Sequence, residues 1–84
     1  MRHPPEDYEG QELELVYIAA RLEEAQKVEA ILDEQGLDYT IQVEHYRSGV
    51  IFTSLRAGAF FYAAPDEAAN CRRALAAQGR GVQS

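Results

Sequence analysis

The chain has 84 residues, 46% hydrophobic and 26% charged, a composition that fits one globular domain and excludes a low-complexity chain. Its formal net charge of −6 disfavours nucleic acid as a partner, although arginines at 47, 56, 72 and 73 leave room for a local positive patch. The single cysteine, Cys71, excludes an internal disulfide and a cysteine-rich zinc site, as expected in a reducing compartment.

Residues 1–11, opening MRHPPEDYEG, hold two prolines, acids and a glycine without periodicity, and are expected to form a flexible N-terminal arm. They contain no apolar core of leader length, and no later stretch approaches the roughly 20 apolar residues of a membrane span. A cytoplasmic address without membrane contact is therefore expected. A single domain over residues 12–79 follows, with a polar tail at 80–84.

LELVYI reads as a strand with Leu13, Leu15 and Tyr17 on one face and Glu14, Val16 and Ile18 on the other; two largely apolar faces suggest a central strand. In RLEEAQKVEAILDEQGL the period changes. Leu22, Ala25, Val28 and Leu32 fall on one side of a helix, with Glu23, Glu24, Lys27 and Glu34 outside. Gly36 is placed to take the left-handed position that ends it, folding Leu37 back onto Leu32 as in a Schellman motif.

DYTIQVEHY alternates, with Tyr39, Ile41 and Val43 on the face expected to be buried and Thr40, Gln42 and Glu44 on the other. In HYRSGVIFTSLRAG, turns are expected at Ser48-Gly49 and Ala57-Gly58, and VIFTSL between them is either a short extra strand or the apolar arm of a protruding hairpin. AFFYAA reads as a strand buried on both faces and ended by Pro65. Asp66 is the expected N-cap of a second helix, with Glu67 in its first turn and Ala68, Cys71, Leu75 and Gln78 at helical spacing. The small residues Ala68, Ala69, Ala74 and Ala76 are expected to let this helix approach the sheet, while Arg72 and Arg73 point outward. Gly79 and Gly81 release the chain into the tail.

Strand, helix, strand, hairpin, strand and helix in this order predict an α+β fold of ferredoxin-like type, βαββα with the last strand missing or replaced by a hairpin, and helices on one face of a small antiparallel or mixed sheet. VYIAARLEEAQKVEAILDEQGLDYTI resembles the first signature of the DUF2007 family, small prokaryotic domains of unknown function described as signal-transducing proteins, a strand followed by a helix of the form EA…(I/L)L…GL. GAFFYAAPDEAANCRRAL is similar to their second, a glycine-led apolar strand, a proline, acids and an alanine-rich helix. The resemblance covers roughly residues 13–78. It implies a ferredoxin-like fold related to that of the nitrogen-regulatory PII proteins and, by analogy, a regulatory role.

Catalytic chemistry finds little footing. Cys71 falls on the apolar side of its helix, where a buried structural thiol is the simpler reading than a nucleophile. His45 follows a strand without a partner, His3 lies in the arm, and two histidines make no zinc-spaced cluster. Glu23 and Glu24 are first-turn acids, and no glycine-rich phosphate loop occurs. A non-enzymatic chain without cofactor or metal is expected.

The 45–58 segment combines His45, Tyr46, Arg47, Phe52 and Arg56 within one connection, the composition of an interface anchor. These five are the expected partner- or ligand-binding residues. They fit a regulatory or protein-interaction module or, alternatively, a metabolite sensor in which Arg47 and Arg56 hold a small anion at a subunit interface. A chain this short with an open sheet edge also predicts self-association, a C2 dimer being the expected form.

Overall fold

The structure, a computed structural model, describes residues 1–48 and 54–79. In chain order it contains strand β1 (Arg2–His3), a 3-10 turn (Pro5–Tyr8), β2 (Glu14–Ala19), helix α1 (Leu22–Glu34), β3 (Tyr39–Ser48), β4 (Ser54–Ala63) and α2 (Pro65–Ala77). The strands form one sheet in the order β1-β3-β4-β2, with β1 parallel to β3 and β4 antiparallel to both β2 and β3. Both helices pack on one face of this mixed sheet. The fold is α+β and compatible with the ferredoxin-like arrangement lacking its last strand.

β2 stands at the end of the sheet and not in its centre, contrary to the expectation from its two apolar faces. Its simple alternation also fails. The register with β4 shifts between Leu15 and Tyr17, and the bulge turns the consecutive residues Val16 and Tyr17 both into the core, with Ala19 following. A sequence period of two cannot anticipate one inserted residue.

Ala25, Val28 and Leu32 of α1 are buried as the periodicity predicts, whereas Leu22 is 77% exposed. Leu22 opens the helix one turn before the first buried residue, so it shares the phase of the core face without reaching it. Arg21 at the N-cap provides no side-chain cap; Glu24 reaches back instead, accepting the Ala20 N–H at 3.3 Å and the Tyr17 hydroxyl at 2.9 Å. At the other end Gly36 has φ +68°. The Leu37 N–H donates to the Leu32 carbonyl and the Gly36 N–H to that of Asp33, both at 3.0 Å, the paired bonds of a Schellman motif.

The N-terminal residues, expected as a loose arm, lie against the sheet. Arg2 and His3 pair with Tyr39 and Thr40, and Arg2 also meets Glu29 of α1 at 3.2 Å. His3 stands 3.0 Å from Asp38 and 3.7 Å from Asp7, with its ring edge-on to Tyr8. A two-residue strand and ion pairs have no hydrophobic period, which is why composition alone suggests an arm.

β4 runs straight through Ala57-Gly58, where a turn is expected; Gly58 is buried and pairs with Glu44. Phe61 and Ala63 are fully buried, but Phe60 and Tyr62, pointing away from the helices, are only half-buried. The expected burial of this strand on both faces is therefore corrected. β3 departs from its pattern in two places: Val43 on the helix side is 74% exposed and Thr40 on the other is fully buried. The helices stop short of Val43, and the 3-10 turn lies against the start of β3 near Thr40.

In α2, Ala64 is the N-cap and Pro65 the first helical residue, so Asp66 is not the cap but joins Glu67 in the first turn. Ala68, Cys71 and Leu75 enter the core; Ala69, Ala76 and Gln78 face solvent. Arg72 does not point outward. It donates from Nη1 to Glu14 at 3.1 Å and from Nη2 to the Leu15 carbonyl at 2.7 Å, tying α2 to the bulge of β2. Arg73 is exposed and bonds Asn70 on its own helix.

Candidate interaction surface

The strands differ in length, and this difference shapes the surface. β2 accompanies β4 only from Ala59 to Ala63, whereas β3 and β4 stay paired from Thr40↔Tyr62 to Ser48↔Ser54. Five pairs, Glu44↔Gly58 to Ser48↔Ser54, thus form a two-stranded ribbon beyond β2, about 17 Å long at ~3.4 Å per residue. Val43, in register with Ala59, marks where the helical layer ends.

The ribbon carries four of the five expected site residues. His45 pairs with Ala57, Tyr46 with Arg56, and Arg47 with Leu55. The register thus makes Tyr46 and Arg56 cross-strand neighbours and does not pair Arg47 with Arg56. Phe52, with the rest of residues 49–53, lies outside the described residues, as does the tail from residue 80. β3 and β4 stay paired as far as Ser48 and Ser54.

Below the ribbon, the face without helices carries Phe60 and Tyr62 of β4, Gln42 and Glu44 of β3, and Ile18 of β2. The rings of Phe60 and Tyr62 stack with centroids 6.4 Å apart. The Tyr62 hydroxyl donates to Glu44 at 2.8 Å, and burial together with that carboxylate pushes the phenol up to about 12. Apolar and aromatic side chains here are half-buried, and their polar atoms are held in fixed geometry. Sequence periodicity passes over this patch because it reads AFFYAA as one continuous apolar run; the signal lies in Phe60 and Tyr62 being two residues apart on one face.

Elsewhere several polar groups are committed, whereas the buried Thr40 hydroxyl has no hydrogen-bond partner among the described residues. The His3 nitrogens face Asp38 at 3.0 Å and Asp7 at 3.7 Å. The N-terminal ammonium sits between Asp33 and Asp38 at 3.6 and 3.7 Å and donates to the Leu37 carbonyl. The Tyr39 hydroxyl donates to Asp33 at 2.9 Å, and burial first, that hydrogen bond second, hold the phenol far above its ordinary range. Cys71 is fully buried, and desolvation raises its thiol to about 11, so it holds its proton at neutral pH. A surface hollow of about 300 Å³ at the entry of α1 is lined by Ala20, Arg21, Glu23, Glu24 and Lys27, and Arg21 and Glu23 stand 4.0 Å apart in it. Among the described residues no three His, Cys, Asp or Glu side chains converge as a metal site, and no helix is long and apolar enough to cross a membrane.

Compared with family models, with curated proteins and with solved structures, the chain matches none significantly.

Proposed function

We propose that this protein is a small non-enzymatic regulatory module that binds a protein partner across the helix-free face of its sheet and the β3–β4 ribbon. The carrying observation is the half-buried patch of Ile18, Phe60 and Tyr62, continued by a ribbon that passes beyond the helices. Aromatic rings with a fixed polar rim are the composition of interaction hot spots, and a two-stranded ribbon is marginally stable by itself. The resemblance to the signal-transducing family of residues 13–78 points the same way.

The test is binding of a partner captured by the tagged chain to the Phe60→Ser and Ile18→Ser variants. Loss of binding at least tenfold, with circular dichroism and melting cooperativity retained, supports the reading. Unchanged affinity in both variants refutes it.

A second reading, a sensor for a small anion, rests on residues 45–65 carrying Arg47 and Arg56 and no acid. Thermal-shift screening with nucleotides, amino acids and carboxylates separates the two. A stabilising ligand whose effect disappears on Arg47→Ala with Arg56→Ala favours the sensor.

A further inference from the structure

We infer that the outer edge of β3 is the surface on which a second copy of this chain docks, the two β3 strands pairing antiparallel about a twofold axis next to His45 and joining both sheets into one. The inference does not rest on the partner-binding reading: it shares the ribbon with it but uses the backbone edge of β3 and not the sheet face.

Three observations carry it. First, β1 covers only Tyr39 and Thr40, and among the described residues no backbone group pairs with the same edge from Ile41 to Ser48. Tyr39 donates its N–H to the Met1 carbonyl on that side at 3.3 Å. By the alternation of an antiparallel strand, Ile41, Val43, His45 and Arg47 therefore present their amides and carbonyls outward. An eight-residue edge with no proline and no lysine, and with Val43 74% exposed upon it, is open to strand addition, its charges being confined to Glu44 and Arg47.

Second, charge is segregated along the chain. Residues 45–65 contain two arginines and no acid, whereas residues 4–20 contain five acids and no lysine or arginine. Glu6, Asp7, Glu9 and Glu12 are all exposed, and the 3-10 turn that carries Glu6 and Asp7 lies against β3. In one copy the length of β3, about 34 Å for ten residues at ~3.4 Å each, separates these acids from the end of the ribbon. An antiparallel second copy brings its basic ribbon alongside them, and its own acids alongside the first ribbon, so one interface satisfies both.

Third, the register is constrained. A twofold at Glu44 would set two carboxylates directly opposite each other, which opposes pairing. A twofold at Val43 would drive the second copy's Tyr46 and Arg47 onto the place that β1 occupies beside Thr40 and Tyr39. With the axis at His45, the residues from Gln42 to Ser48 pair with the same seven of the second copy. This is the longest ladder that meets neither obstacle.

The test is disulfide trapping in the full chain, with buried Cys71 as a silent background. Residues opposite each other at a twofold stand about 5.5 Å apart at Cα, within disulfide reach, whereas Gln42 and its symmetry mate would be six residues out of register. His45→Cys should convert most of the chain to covalent dimer under mild oxidation, at least tenfold faster than Gln42→Cys. Val43→Pro removes an outward amide without touching the β3–β4 ladder, and should give a folded monomer by sedimentation at tens of micromolar. A wild-type monomer at that concentration overturns the inference. So does a dimer in which His45→Cys crosslinks no faster than Gln42→Cys, or a folded Val43→Pro chain that remains dimeric; should that variant not fold, the two rates decide.

Discussion

Leu22 and Leu32 lie in the same phase of α1, and truncating each to alanine tests how the core is defined. Leu32 has no exposed surface and supplies the carbonyl that receives the Leu37 N–H, while Leu22 is 77% exposed. Deleting buried leucine atoms forfeits their transfer free energy and leaves a cavity that the surroundings fill only in part, which together cost roughly 2–5 kcal/mol. A central value of about 3 kcal/mol is a large share of the stability of a domain of 84 residues, expected at roughly 4–12 kcal/mol. With an unfolding entropy of about 2.1 cal/mol/K per residue, it lowers Tm by roughly 15 °C. Leu22→Ala removes atoms already in water and should change stability by less than about 0.5 kcal/mol. Urea denaturation of both variants, with unchanged m-values, measures the difference. Equal losses, or a Leu32→Ala loss below about 0.5 kcal/mol, would refute the placement of α1 on the sheet.

Cys71 should resist a bulky thiol reagent in the folded state and react only at the rate of unfolding, since burial both closes access and keeps the thiol protonated; labelling near the rate of free cysteine would reverse the assigned face of α2. Arg72→Ala should cost about 1 kcal/mol, a value discounted because the side chain is 41% exposed, and Arg72→Lys should recover little, one ammonium being unable to span Glu14 and the Leu15 carbonyl. Full recovery by lysine would show that only the charge matters. The His3 hydrogen bond first, with the charges of His3 and the N-terminal ammonium and against an opposing desolvation, holds the Asp38 carboxyl below its ordinary range. Its stabilising contribution is therefore complete above the unfolded carboxylate value of about 4 and is lost as pH falls through the lower folded value. Asp38→Asn should reduce the loss of stability across that acid window in urea titrations, and an unchanged acid limb would show that the pair contributes nothing.

Some of this molecule is local and was therefore legible in the residues. Gly36 has to take a positive φ where α1 stops, and the apolar spacing of Ala25, Val28 and Leu32, or of Ala68, Cys71 and Leu75, holds wherever the helix is placed. Element order restricted the topology to few α+β arrangements, because a strand–helix–strand unit closes with one hand. Of the candidate site, the sequence marked the basic, aromatic connection of residues 45–58 but not its register, which sets Tyr46 beside Arg56. Tertiary structure decided the remainder wherever burial depends on what lies above a residue. Phe60 and Phe61 are adjacent and chemically identical, yet only Phe61 meets the helices. Val43 and Thr40 exchange their expected environments because the helical layer ends at one and the N-terminal segment reaches the other. Alternation states which side of a sheet a residue occupies; the extent of the covering layer, a property of the whole fold, determines whether that side is core or surface.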